Sequence, residues 1–147
     1  MDDHDDVVIL KSKTIDYQLF LGGVYGYTEQ RFTIEDVQAA IWEFLEKRTL
    51  ASSYNIVKCR YLRSGWSEDG YRIQTVNYPT RIQTPHELEC GILALARFLM
   101  RHFRQERVSL VMGDETWLLQ RKSRDADRIP GGAGKDSDRA SDSPATS

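Results

Sequence analysis

Hydrophobic and polar positions along this chain fall into two periods. Ile15, Tyr17, Leu19 and Leu21 alternate with Asp16, Gln18 and Phe20, a period of two that predicts a half-buried strand. Val7 to Leu10 is placed to extend that strand or to pair with it across Ser12-Lys13. Gly22-Gly23-Val24-Tyr25-Gly26-Tyr27 and the polar residues up to Thr33 predict a loop. Thr33 followed by Asp36 resembles a capping box with a shorter carboxylate. It opens a helix over 34–48, with Ile34, Val37, Ile41, Phe44 and Leu45 on one face. Tyr54 to Arg63 alternates again, which predicts Val57, Cys59 and Tyr61 on the sheltered side and Lys58, Arg60 and Leu62 on the other. Ser64 to Gly70, with its Asp69-Gly70 pair, predicts the turn into a strand over Tyr71 to Tyr78, completing a β-hairpin.

Thr84-Pro85-His86-Glu87 combines an N-cap, a proline in the first turn and a glutamate three residues after the cap. Leu88, Ile92, Leu95, Leu99 and Phe103 then recur at spacings of three and four, predicting a second helix to about residue 106. Val108 to Met112 predicts a core strand, and Gly113-Asp114-Glu115 turns the chain into an edge strand over Thr116 to Gln120. This order resembles the ferredoxin-like βαββαβ arrangement, an α+β two-layer sandwich with an antiparallel sheet, two helices on one face and here an extra C-terminal edge strand. The resemblance rests on element order over about residues 15–112 and implies no activity.

Composition sets the domain limits. The 147 residues suit one domain: an acidic flexible N-terminus over 1–6, a single α+β domain over 7–122, and a polar tail over 123–147. The tail has no aromatic residue and only Ile129 among the large aliphatics, so its expected state is disorder. The formal net charge of -2 gives no global attraction to nucleic acid or anionic lipid. Cys59 and Cys90, 31 residues apart, do not form a disulfide framework. The acidic start is unlike a signal peptide, and no apolar run approaches the roughly 20 residues of a spanning helix. The expected location is the cytoplasm, with no membrane contact.

With both helices on one side, the free face is expected to show Gln18, Phe20, Lys58, Arg60, Arg72, Gln74, Val76 and Tyr78, rings and cations together. RNA-recognition domains share the element order, but Asp69 to Val76 lacks their second small residue and has Gln74 where a stacking ring is wanted, so nucleic acid is disfavoured. Gly22 to Gly26 has no GK[ST] after it and is no phosphate loop. At about 11 residues this connection is long, and Tyr25, Tyr27 and Arg31 make it a candidate lid or partner-contacting segment. Three histidines, His4, His86 and His102, without an i, i+4 pair support neither a metal nor a cofactor. His86, in the first turn of the second helix, is the isolated acid–base candidate. Arg97, Arg101, His102, Arg104 and Arg107 form the strongest local positive patch, which the helix C-terminus favours electrostatically. Trp42 adjoins the core stripe, and Trp66, in the glycine-containing turn, is expected to pack over the hairpin end, with an exposed interface anchor as the alternative.

Subtraction leads to a leading expectation of a small non-enzymatic module that associates, as a homodimer, through its open sheet face. The alternative is a sensor or enzyme for a small anionic ligand, with a pocket between the sheet and the 22–33 loop. A weak nucleic-acid-binding module is the third reading. The residues concerned are Phe20, Lys58, Arg60, Arg72, Tyr78, Tyr25 and Arg31, with His86 as a catalytic candidate. The chain leans away from enzymes, because no nucleophile, base and orienting group come together in it.

Overall fold

A computed structural model describes residues 6–26, 28–48, 52–80 and 83–122. The expected N-terminal and tail segments over 1–5 and 123–147, and Tyr27, lie outside the described residues. The elements are β1 (Asp16–Gly22), α1 (Ile34–Glu46), β2 (Asn55–Arg63), β3 (Trp66–Val76), α2 (Pro85–His102), β4 (Arg107–Met112) and β5 (Glu115–Gln120). They form a small α+β structure in which one five-stranded antiparallel sheet has the order β2-β3-β1-β4-β5.

Cross-strand partners share a face. Leu19 lies opposite Ile73 and Leu110, and Leu21 opposite Tyr71. These residues join Val37, Ile41 and Phe44 of α1 and Leu88, Ile92, Leu95 and Leu99 of α2 in one buried core. Both helices therefore bury their apolar stripes against the same side of the sheet. Each starts where capping chemistry places it. Thr33 Oγ1 accepts from the Asp36 amide at 3.2 Å while Asp36 Oδ2 accepts from the Thr33 amide at 2.8 Å. Thr84 and Glu87 exchange the same bonds at 3.1 and 2.8 Å.

Four sequence expectations are corrected. First, the hairpin turn is two residues, Ser64-Gly65, with Gly65 at φ 72°, so Arg63 pairs with Trp66 and β3 begins five residues earlier than the Asp69-Gly70 signal suggests. That length sets the register and inverts β2. Val57 and Arg72 are partners, as are Cys59 with Gly70 and Tyr61 with Glu68, on the open face. Lys58 and Arg60, opposite Tyr71 and Asp69, stand on the helix side. Second, α2 stops at His102: Arg104 adopts φ 53° and the Gln105 amide donates back to the Met100 carbonyl at 2.8 Å, closing the last turn. Third, Val7 to Leu10 forms no strand and is exposed. Fourth, Trp42 is exposed, so it takes no part in the stripe.

Candidate functional site

The loop from β1 to α1 is a compact structure bonded at both ends. Val24 and Arg31 form a β-bridge, the Tyr25 amide donates to the Gln30 carbonyl at 2.9 Å, and the Phe32 amide donates to the Gly23 carbonyl at 3.1 Å. Gln105, buried after α2, donates from Nε2 to the Val24 carbonyl at 2.7 Å. Phe32 is inserted between Tyr25, Tyr71 and Phe103, with ring centroids 5.2, 5.6 and 4.0 Å away. Tyr25, expected on a lid, is thus an anchor of the loop. Gly23 lies so close to β3 that a Cβ there would stand 2.4 Å from the Asp69 carbonyl oxygen.

This anchoring forms a cleft of about 310 Å³ between the loop, the first turn of α1 and the β2–β3 ribbon, at the lower end of small-ligand pocket sizes. Arg31, Lys58, Glu35, Asp69 and Tyr71 line it, with Thr33 at the helix start. Asp69 Oδ2 is 3.5 Å from Arg31 Nη1 and its Oδ1 is 3.7 Å from Arg60 Nε. The carboxylate is one-third exposed, whereas both guanidinium side chains are about two-thirds exposed and free to turn towards a ligand. Tyr71 donates its hydroxyl to the Phe32 carbonyl at 2.8 Å. Burial, followed by the nearby charges of Asp69, Asp36 and Glu35, holds the Tyr71 phenol above its usual range, so it serves as a fixed neutral donor. The groups able to accept a proton here are the two carboxylates. The site can neutralise an anion through Arg31 and Lys58 and a cation through Glu35 and Asp69.

Arg31 and Arg60 therefore pair with Asp69, and Lys58 lines the same cleft, while the other sequence candidates lie elsewhere. Phe20 and Arg72 are partners on the open face, beside Val57 and Tyr61. Phe20 meets Tyr61 edge to face at 6.4 Å, and Tyr61 covers Gly70, its hydroxyl donating to the Leu21 and Tyr71 carbonyls at 3.3 Å. Burial above all pushes the Tyr61 phenol up. Arg72 Nε is buried and, among the described residues, has no hydrogen-bond partner. Tyr78 is half-exposed beyond the end of β3. His86 lines a groove of about 250 Å³ between the two helices with Tyr54, Arg48 and Cys90, whose Sγ is 3.5 Å from His86 Nε2. A shallower hollow at the other side of the loop is lined by Trp66, Glu68, Gln105 and Glu106. Among the described residues no three His, Cys, Asp or Glu side chains cluster to hold a metal, and no helix is long and apolar enough to cross a membrane.

Asp69, Glu35 and Gly23 are the site residues that sequence reasoning misses. Asp69 is hidden by its Asp-Gly turn signature, and a two-residue Ser64-Gly65 turn was the signal that would have placed it in a strand.

One likeness bears on the fold. A phage SAM lyase in complex with S-methyl-5'-thioadenosine aligns with 78% of this chain and 95% of its own at a TM-score of 0.51 and 19% identity. The apo state of a phage SAM lyase aligns with 74% of this chain and 90% of its own, at 0.48 and 16%. At these identities the likeness concerns the fold. No protein-family model matches the chain, and no curated protein matches it in sequence.

Proposed function

We propose that this protein binds a small charged metabolite in the Arg31–Lys58–Asp69 cleft and acts there as an enzyme or sensor, on a ferredoxin-type split βαβ layer extended by β5. The observation that carries this reading is the convergence of two cations and two carboxylates, from four chain segments, on one concavity. Such a lining suits a ligand with both an anionic and a cationic group, oriented by the guanidinium fork of Arg31 and by the Asp69 carboxylate. The fold likeness to a SAM lyase supports SAM, a sulfonium nucleoside bearing a carboxylate and an ammonium group, as the first ligand to try. It is an argument by analogy, and the charge pattern stands without it.

The test is calorimetric titration of the full chain with SAM and, as the uncharged comparison, with S-methyl-5'-thioadenosine, alongside chromatographic analysis of the SAM mixtures after long incubation. Saturable binding that weakens about tenfold, or about 1.4 kcal/mol, in Asp69→Asn or Lys58→Gln supports the proposal. Absence of binding, or binding indifferent to both substitutions, refutes it. Formation of a new nucleoside product assigns an enzyme; unchanged ligand assigns a sensor.

A second reading rests on the open face. Val57, Trp66 and Leu118 are exposed there, and among the described residues the Arg72 Nε lacks a partner. Self-association through this face would cover the apolar side chains and supply an acceptor to Arg72. Light scattering across a concentration series tests it, and a monomer at every concentration excludes it.

A further inference from the structure

On the side of the molecule formed by the end of α1, the outer face of α2 and the end of β5, two clefts of about 390 and 280 Å³ flank a ridge made by Arg97 and Arg101. Arg121, just after β5, lines one of them; Lys47 and Arg48 line the other. Among the described residues no Asp or Glu lines either cleft, whereas each of the other three concavities contains at least one carboxylate. Lys47 and Arg121 have weak ion pairs, at 3.8 Å to Glu43 and Glu106. Among the described residues Arg97 and Arg101 have no carboxylate partner. In a chain of net charge -2 this is a local concentration of cations.

Helix electrostatics accounts for part of the patch only. Arg101 lies in the last turn of α2, where a cation offsets the exposed carbonyls. Arg97 is more than a turn from that end, and Arg121 and Lys47 come from other elements, so capping does not explain why they converge. Like charges held together in this way repel one another until an anion enters.

We propose that this groove is a second binding site, for a ligand carrying a chain of phosphates. Arg97 and Arg101, four residues apart, stand on the same face of α2 about 6 Å apart along its axis. Their planar forks can each take two oxygens of a phosphate, and the clefts on either side admit further anionic groups of the same molecule. A lone anion would engage only one flank. Nucleic acid is the poorer fit, because the nearby rings offer no face to a base. Phe44 is buried beneath the Arg48 guanidinium at 4.6 Å, and Phe98 packs between Phe44 and His102 at 5.6 and 5.8 Å. The shared chemistry, consecutive phosphates, is found in a nucleoside polyphosphate and in inorganic polyphosphate.

The experiment titrates the full chain at low salt with tripolyphosphate, ATP, orthophosphate and a single-stranded oligonucleotide. The expected result is saturable binding of tripolyphosphate and ATP, weakened about tenfold or more in the Arg97→Gln/Arg101→Gln double variant and unchanged in Asp69→Asn, which separates this site from the metabolite cleft. Without ligand, the double variant unfolds at the same temperature as the parent or higher, since repulsion is relieved. ATP binding more tightly than tripolyphosphate identifies the nucleoside source; equal affinities identify the inorganic one. No saturable binding, equal binding by the double variant, orthophosphate as tight as tripolyphosphate, or binding to the oligonucleotide alone overturns the proposal.

Discussion

Gly23→Ala is the substitution through which the loop, the sheet and the cleft are tested together. Gly23 is absent from the positive-φ glycines, Gly26, Gly65 and Gly113, so alanine meets no backbone strain there; the cost is contact. The added Cβ would lie 2.4 Å from the Asp69 carbonyl oxygen and 3.1 Å from its carbon, which is about 1 Å inside ordinary contact with the oxygen. Asp69 is held by its pairing with Arg60 of β2, one residue beyond the Gly22–Gly70 end of the β1 ladder, so the ribbon resists retreat. The loop must move instead, stretching the bond from the Phe32 amide to the Gly23 carbonyl. Overpacking of about 1–3 kcal/mol, with about 1 kcal/mol for that bond, gives a loss of about 2–4 kcal/mol, slightly offset by the stiffer unfolded chain. For a domain of this size that is a fall in Tm of roughly 10 °C. Gly91→Ala in α2 is the control: its Cβ meets only the Tyr54 hydroxyl and Ser52 Oγ, at 3.5 and 3.7 Å, which is ordinary contact, so stability is unchanged or rises by up to about 1 kcal/mol. Urea and thermal unfolding followed by circular dichroism measure both. If the two variants unfold alike, the close approach of loop and strand that shapes the cleft is wrong.

Three further outcomes are expected. In Asp69→Asn the two ion pairs, at 3.5 and 3.7 Å between largely exposed arginines and a one-third exposed carboxylate, contribute roughly 1 kcal/mol to stability; a loss well above that in urea unfolding would mean that Asp69 is structural rather than functional. Among the described residues four tyrosines, Tyr17, Tyr54, Tyr61 and Tyr71, have phenols raised above their usual 10.0, with burial the first cause in each. The unfolded chain ionises them first, so stability is intact below pH 10.0 and declines as pH rises above it. Tyrosinate absorbance should therefore lag for these four until the far-ultraviolet signal is lost, and a smooth titration of all seven in the folded state contradicts their burial. Replacing Val57 with Lys, on the open face opposite Arg72, should abolish any self-association in light scattering with less than about 1 kcal/mol change in monomer stability.

What the sequence reveals about this protein follows from which interactions are local. Both capping boxes are complete within four residues, so the helix starts at Thr33 and Thr84 are legible without tertiary information. The β1 and α2 stripes are legible because one face of each is fully buried. The face of β2 is not. It runs along the sheet edge, where Ile56 is only half-buried and Val57 is exposed, and its apolar residues carry no phase signal. Register is decided instead by the turn, and Asp69-Gly70 outweighs Ser64-Gly65 as a turn signature although the strand passes through it. The glycine at 70 is needed there for another reason: the Tyr61 ring would lie 2.2 Å from a Cβ at that position. That slip splits the expected surface in two, sending Lys58 and Arg60 to the cleft and leaving Phe20 and Arg72 behind. The end of α2 is missed because Arg104 takes a left-handed conformation usually left to glycine, allowing Gln105 to turn inward and hold the loop.

The most direct test of the metabolite cleft is a backbone amide NMR titration of the full chain with SAM, which carries a carboxylate, an ammonium and a sulfonium. Perturbations concentrated at Gly23, Arg31 to Glu35, Lys58 and Asp69, with the α2 arginines unmoved, are the result this account requires. Shifts confined to the open face around Phe20 and Arg72, or none at ligand saturation, would contradict it.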